Sequence, residues 1–124
     1  AAMFAAHRQL DNLVAVVDRN GLQIDGRTCD VCDPGDLGAK FAAFGWDAAE
    51  VDGHDLDALV AVLGAAKAGR DGRPHAVIAR TVKGKGVPFM ENEAGWHGKA
   101  PNAEQAAEAL AALEGGAGKE SIRG

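Results

Sequence analysis

Apolar positions along this chain fall into short blocks divided by glycine, proline and acidic stretches, and the spacing within each block predicts its element. Leu13-Val14-Ala15-Val16-Val17 is a continuous run without alternation, the pattern of a strand covered on both faces. Before it, residues 2–10 are rich in Ala with Met3 and Phe4 on an apolar stripe, which predicts a helix that begins without a capping side chain. Residues 36–44 predict a second helix, with Leu37, Phe41 and Phe44 along one side and Gly45 as its stop. Residues 46–51 are the next strand candidate. Asp52-Gly53-His54-Asp55 then turns into a helix over 56–68, with Asp55 as its cap and Leu56, Leu59, Val60 and Leu63 lining one face. A break at 69–74 leads to a strand over 76–82, a glycine-rich stretch, and an Ala-rich helix over 103–113. Residues 115–124 lack periodicity and are expected to form a flexible tail, leaving 1–114 as the folded part.

Strands alternating with helices argue for βαβ units: an α/β fold with a parallel sheet flanked by helices. Three strands leave open sheet edges, so the unit is expected to be part of a larger domain.

Composition narrows the function classes. Hydrophobic residues make up 47%, too many for general disorder and ordinary for a globular chain. Net charge is −5, so no broad field favours nucleic acid or an anionic membrane. The apolar runs are too short to span a bilayer, and no charged-then-apolar leader opens the chain. Cytoplasm is the expected location. Cys29 and Cys32 have Cys-x-x-Cys spacing, but no second pair completes a zinc site, and Asp33-Pro34-Gly35 is turn chemistry. They are expected to be two reduced thiols in a surface loop.

Candidate chemistry gathers in two places. Asp18-Arg19-Asn20-Gly21-Leu22 follows the first strand, and in α/β proteins the carboxyl ends of strands face the ligand. An amide and a backbone carbonyl suit a hard cation such as Mg²⁺. Asn20-Gly21 is equally the strongest short hairpin signal, so on these residues alone a plain turn and a metal ligand both stand. Gly84-Lys85-Gly86 lacks the order of a phosphate loop, yet its glycines let backbone N–H groups approach an anion, with Lys83 or Lys85 adding charge. His97 lies in the loop Gly95-Trp96-His97-Gly98, where functional groups concentrate. His54 reads as a helix-entry residue, and His7 and His75 have no distinguishing context.

Taken together, Met3-Phe4-Ala5-Ala6-His7, Val17-Asp18-Arg19-Asn20-Gly21-Leu22-Gln23-Ile24-Asp25-Gly26, Phe44-Gly45-Trp46, Val51-Asp52-Gly53-His54-Asp55, Thr81-Val82-Lys83-Gly84-Lys85-Gly86-Val87 and Trp96-His97-Gly98-Lys99-Ala100-Pro101-Asn102 resemble transketolase in order and spacing. Phe89-Met90-Glu91-Asn92 and the Trp96 stretch resemble the amino-terminal subunit of its split form. The resemblance implies a partial thiamine diphosphate-binding domain of an enzyme that moves a two-carbon ketol unit between sugar phosphates. It implies Asn20 as a side-chain Mg²⁺ ligand and Leu22 as a carbonyl ligand. Ile24 would pack near the thiazolium ring of thiamine diphosphate, and His97 would sit near the diphosphate and the reacting centre. The Gly-Asp-Gly motif that supplies the family's acidic ligand is expected upstream of Ala1. A pyrimidine-binding domain, or a carboxyl-terminal transketolase subunit, is the implied partner, and an oligomer is expected.

Two other readings remain open at this point. One is a different thiamine diphosphate enzyme, of deoxyxylulose-phosphate synthase or 2-oxo acid dehydrogenase type, which fits Trp96-His97-Gly98-Lys99 less well. The other is a non-catalytic remnant acting only as an interaction module.

Overall fold

A computed structural model describes residues 1–69 and 71–117. They divide into two compact units, one of Ala1–Arg19 with Cys32–Thr81, the other of Asn20–Val31 with the residues from Val82 onward.

The first unit is a parallel sheet flanked by helices, as the periodicity predicts. Its strands are β1 (Val14–Arg19), β4 (Asp47–Asp52) and β5 (His75–Arg80), in the order β1-β5-β4. Both pairings are parallel, with Val16 opposite Val77 and Ala49 opposite Val77. The helices are α1 (Ala2–His7), α3 (Leu37–Ala43) and α4 (Leu56–Ala68). Ala5 of α1 and Phe41 of α3 pack with Trp46 and Ala76. Ala58, Leu59 and Val62 of α4 pack with Val51, Val77 and Ala79. Ala76 and Val77 are adjacent on β5 and so point to opposite faces, which puts α1 and α3 on one side of the sheet and α4 on the other.

Local chemistry explains the boundaries. The Asp36 and Asp55 carboxylates accept from the N–H groups of Ala39 at 2.8 Å and Ala58 at 2.9 Å, capping α3 and α4. Trp46 closes one core cluster, its indole N–H donating to Ala2 O at 3.0 Å and its ring meeting Phe41 edge-on at 5.1 Å. The first helix ends at His7 rather than at residue 10. Gln9 has a φ of 53°, a conformation that a right-handed helix cannot continue through.

Two expectations are corrected here. The run at 13–17 is not covered on both faces: β1 is an outer strand of this sheet and Val16 is 57% exposed, whereas β5 is the buried centre. The stripe on α4 holds only at Leu59. Leu56 and Val60 are 74% and 73% exposed, and the sheet-facing side is formed by Ala58, Leu59, Val62 and the buried Ala66.

The second unit contains a hairpin with no counterpart in the sequence reading, β2 (Leu22–Gln23) and β3 (Gly26–Arg27), antiparallel with Leu22 opposite Arg27. A one-turn helix, α2 (Thr28–Val31), follows directly. Cys29 therefore lies in a helix rather than a loop, although both thiols are exposed and unbridged as expected. The last helix, α5 (Ala103–Ala117), is longer than predicted. Asn102 and Gln105 cap it reciprocally: Asn102 Oδ1 accepts from Gln105 N at 2.8 Å and Gln105 Oε1 accepts from Asn102 N at 3.1 Å. Of the expected tail, 115–117 complete α5, and 118–124 lie outside the described residues.

Candidate functional site

Asn20 follows Arg19, the last residue of β1, and Lys83 lies three residues beyond the end of β5. Within the second unit, Asn20, Leu22, Gln23, Lys83, Ala94 and His97 line one cavity of about 30 Å³. That is room for one or two water-sized groups, the scale of an ion with a ligand atom rather than of a whole organic cofactor. Three of the four site residues drawn from the sequence thus come together although more than seventy positions separate Asn20 from His97. Ile24 does not line this cavity; it lies at the β2–β3 turn and is 70% exposed.

Each lining residue is placed by a local device. The Asn20 carboxamide oxygen accepts the Leu22 N–H at 2.9 Å, closing a side-chain turn that leaves a second lone pair on that oxygen. Gly21, at a φ of 73°, lets the chain reverse between them, and its carbonyl accepts from Thr28 N at 2.9 Å. The hairpin reading of Asn20-Gly21 is therefore half right. A turn forms, but β1 pairs with β5 and the hairpin partner of Leu22 is Arg27.

Lys83 is held by a loop that folds onto itself. Its carbonyl accepts from Asn92 N at 2.9 Å, and Gly86 N donates to Glu91 Oε1 at 2.9 Å. Gly84 lies against Met90, where a Cβ would come within 2.6 Å of the Met90 carbonyl oxygen. Its neighbouring glycines were legible as a region of close backbone approach, and the lysine as the charge beside it. Gln23 and Ala94 carry no signal in the sequence. His97 follows a single 3-10 turn, Ala94–Trp96, and its N–H donates to Ala94 O at 3.0 Å.

The residues lining the cavity offer neutral oxygens, a lysine ammonium and an imidazole. Asn20 Oδ1 and the Leu22 carbonyl are hard donors that fit the protein's share of a Mg²⁺ site in which phosphates and waters complete the octahedron. They do not make a site alone: among the described residues no group of three or more His, Cys, Asp or Glu side chains can hold a metal. Lys83 suits an anion, but the backbone N–H groups expected to help it are already used: Gly86 N donates to Glu91 Oε1 at 2.9 Å and Lys85 N to Val82 O at 3.2 Å.

The other histidines lie elsewhere. His54 is exposed at the entry to α4, with its N–H donating to Asp52 Oδ1 at 2.9 Å. His75 is buried in the first unit, its Nδ1 3.4 Å from Asp47 Oδ2 and its Nε2 without a hydrogen-bond partner among the described residues. Also in the first unit, the Arg73 guanidinium holds the Asp71 carboxyl below the ordinary carboxylate range through a surface pair in which Nε and Nη2 both donate to Asp71 Oδ2. Among the described residues no helix is long and apolar enough to cross a membrane.

Comparison with known proteins places these features in company. The family described as transketolase, thiamine diphosphate binding domain, matches residues 1–118. The chain is 41% identical over 110 residues to one of the subunits of the apulose-4-phosphate transketolase of Phocaeicola vulgatus, covering 89% of this chain and 39% of that protein. It is 40% identical over 114 residues to the 6-deoxy-6-sulfo-D-fructose transketolase subunit SqwG of a Clostridium species, covering 92% and 41%. Among solved structures, transketolase of Pichia stipitis in complex with sedoheptulose 7-phosphate superposes with a TM-score of 0.82 at 30% identity, over 91% of this chain and 17% of that one. Transketolase of Campylobacter jejuni gives 0.83 at 25% identity with the same coverage. The chain spans about two fifths of the length of the two curated relatives.

Proposed function

The chain belongs to the transketolase family, matching its thiamine diphosphate binding domain, and from that premise we propose that it is part of an enzyme transferring a two-carbon ketol unit between sugar phosphates. The observation that supports this reading best is the shared cavity of Asn20, Leu22, Lys83 and His97. Oxygen donors for a hard cation, a fixed cation for a phosphate and a proton-transfer group meet there, which is the combination that a metal–diphosphate cofactor beside a sugar hydroxyl requires.

In this proposal Asn20 Oδ1 and the Leu22 carbonyl hold Mg²⁺, and Lys83 neutralises phosphate charge. Ile24, an exposed apolar side chain, covers the apolar part of the cofactor. Thiamine diphosphate, when bound, supplies the carbanion chemistry that carbon–carbon cleavage needs. His97 orients a sugar hydroxyl and takes up or returns a proton at an imidazole nitrogen. The relatives named for a 4-phosphate and a 6-sulfo sugar support a substrate with an anionic end.

Residues 1–117, through the end of α5, are proposed as the carboxyl-terminal part of the diphosphate-binding domain. That both curated relatives are named as single subunits of a transketolase supports a partner chain that carries the pyrimidine-binding domain, and an oligomer in the cytoplasm completes the proposal.

Calorimetric titration with thiamine diphosphate and Mg²⁺ tests it, comparing this chain alone with the complete enzyme joined to its partner. The complete enzyme should bind cofactor and transfer ketol units. The 124-residue chain should not bind at micromolar concentration, because neutral oxygens alone leave the metal without a carboxylate. Asn20→Ala in the complete enzyme should weaken Mg²⁺ binding by about tenfold or more. Micromolar binding by the chain alone, or an unchanged Mg²⁺ requirement in Asn20→Ala, would contradict the ligand assignment.

A further inference from the structure

We infer that Trp96 is the positioning residue for His97, holding the turn from which the imidazole reaches the cavity; this rests on the role proposed for His97 above. His97 lies between glycines on a segment with little packing of its own: a Cβ at either Gly95 or Gly98 would meet nothing within 4 Å. Glycine also loses the most conformational freedom on ordering, so such a segment does not hold an imidazole in place by itself. The main-chain bonds that close the turn are modest, with Trp96 N donating to Glu93 O at 3.3 Å and His97 N to Ala94 O at 3.0 Å.

Trp96 supplies the missing restraint. Its indole N–H donates to Phe89 O at 3.0 Å, its ring meets Phe89 with centroids 5.5 Å apart at 56°, and Lys99 Nζ stands 4.6 Å from its ring centroid. One side chain therefore ties the segment before the turn to the segment after it, through a hydrogen bond, an aromatic pair and a cation–π contact. Trp96 is not among the residues lining the cavity, while Ala94 and His97 on either side of it are. Its effect on a ligand thus passes through the placement of His97.

The test uses Trp96→Leu, which removes the aromatic ring and the N–H, and Trp96→Phe, which keeps a smaller aromatic face and loses the N–H. In the complete enzyme, Trp96→Leu should lower kcat by about 10²-fold with KM nearly unmoved, the cost of a catalytic group displaced by about 1 Å. Trp96→Phe should recover most of that loss. In the 124-residue chain, the backbone order parameter of His97 should fall from about 0.85 to below about 0.6 in Trp96→Leu and stay near its starting value in Trp96→Phe. An unchanged order parameter in Trp96→Leu overturns the inference whatever the kinetics show, and so does a Trp96→Phe enzyme as impaired as Trp96→Leu. His97→Ala with unchanged turnover would instead sink the role proposed for His97, leaving the order-parameter result to decide the positioning claim.

Discussion

Replacing Gly84 by Ala puts the loop geometry to a quantitative test. Gly84 has a φ of 72°, and a Cβ there would lie 2.6 Å from the Met90 carbonyl oxygen, 2.7 Å from its carbonyl carbon and 2.8 Å from its Cβ. Holding an L-residue in the left-handed region costs about 1–2 kcal/mol. Forcing a methyl group into occupied space adds about 1–3 kcal/mol. Met90 cannot retreat cheaply, because its N–H donates to Val87 O at 2.9 Å and the two-residue step to Asn92 carries the bond to Lys83 O, also 2.9 Å. Asn92 itself stands at a φ of 58°, so the loop has little slack. A loss of about 3 kcal/mol is expected, which for a urea slope near 2 kcal/mol/M moves the unfolding midpoint down by about 1.5 M. Urea titration followed by tryptophan fluorescence reads it, in a Trp46→Phe background so that Trp96 alone reports the second unit. Gly95→Ala is the control: its Cβ meets open space, and a change within about 0.5 kcal/mol is expected. If Gly84→Ala stays within that same range, or if Gly95→Ala is equally damaging, the steric account of the loop is wrong. In the complete enzyme Gly84→Ala should also weaken cofactor binding, since the strained loop carries Lys83.

Two further outcomes follow from the surface chemistry. Cys29→Ser with Cys32→Ser should leave metal content and turnover of the complete enzyme unchanged, since both thiols are exposed and unbridged; stoichiometric zinc lost in the double variant would refute this. The carboxyl of Asp71 is held low by Arg73, so the pair stabilises the folded chain above the carboxylate's unfolded pKa and that contribution disappears as pH falls through the lower folded value. Asp71→Asn should accordingly lower stability slightly at neutral pH and leave it unchanged in strong acid, which flattens the acid side of the stability–pH curve, with thermal melts across pH 2–7 as the measurement; an unchanged acid limb would show that the pair contributes nothing.

Sequence by itself determined the order of the parallel strands and the longer helices, though not the β2–β3 hairpin or α2, because apolar spacing and capping residues are local: Asp36 and Asp55 cap the helices that their positions announce. Its resemblance to transketolase also singled out Asn20 with Leu22, and the glycine-flanked loop pointed to His97. Sequence alone misjudged which strand is buried. The run at 13–17 is as apolar as β5, and only the order β1-β5-β4 puts β5 between two neighbours. It read α4 only in part, finding Leu59 but not Ala58 and Val62, since several stripes on an Ala-rich helix satisfy the same period and only the packed sheet selects among them. The convergence of Asn20 and Leu22 with Lys83 and His97 was likewise decided in three dimensions, as was the absence of Ile24 from that group. Periodicity records which way a side chain leaves its own element. Which distant segments share a cavity depends on strand order and loop closure, and those are set by contacts between residues that the linear sequence keeps far apart.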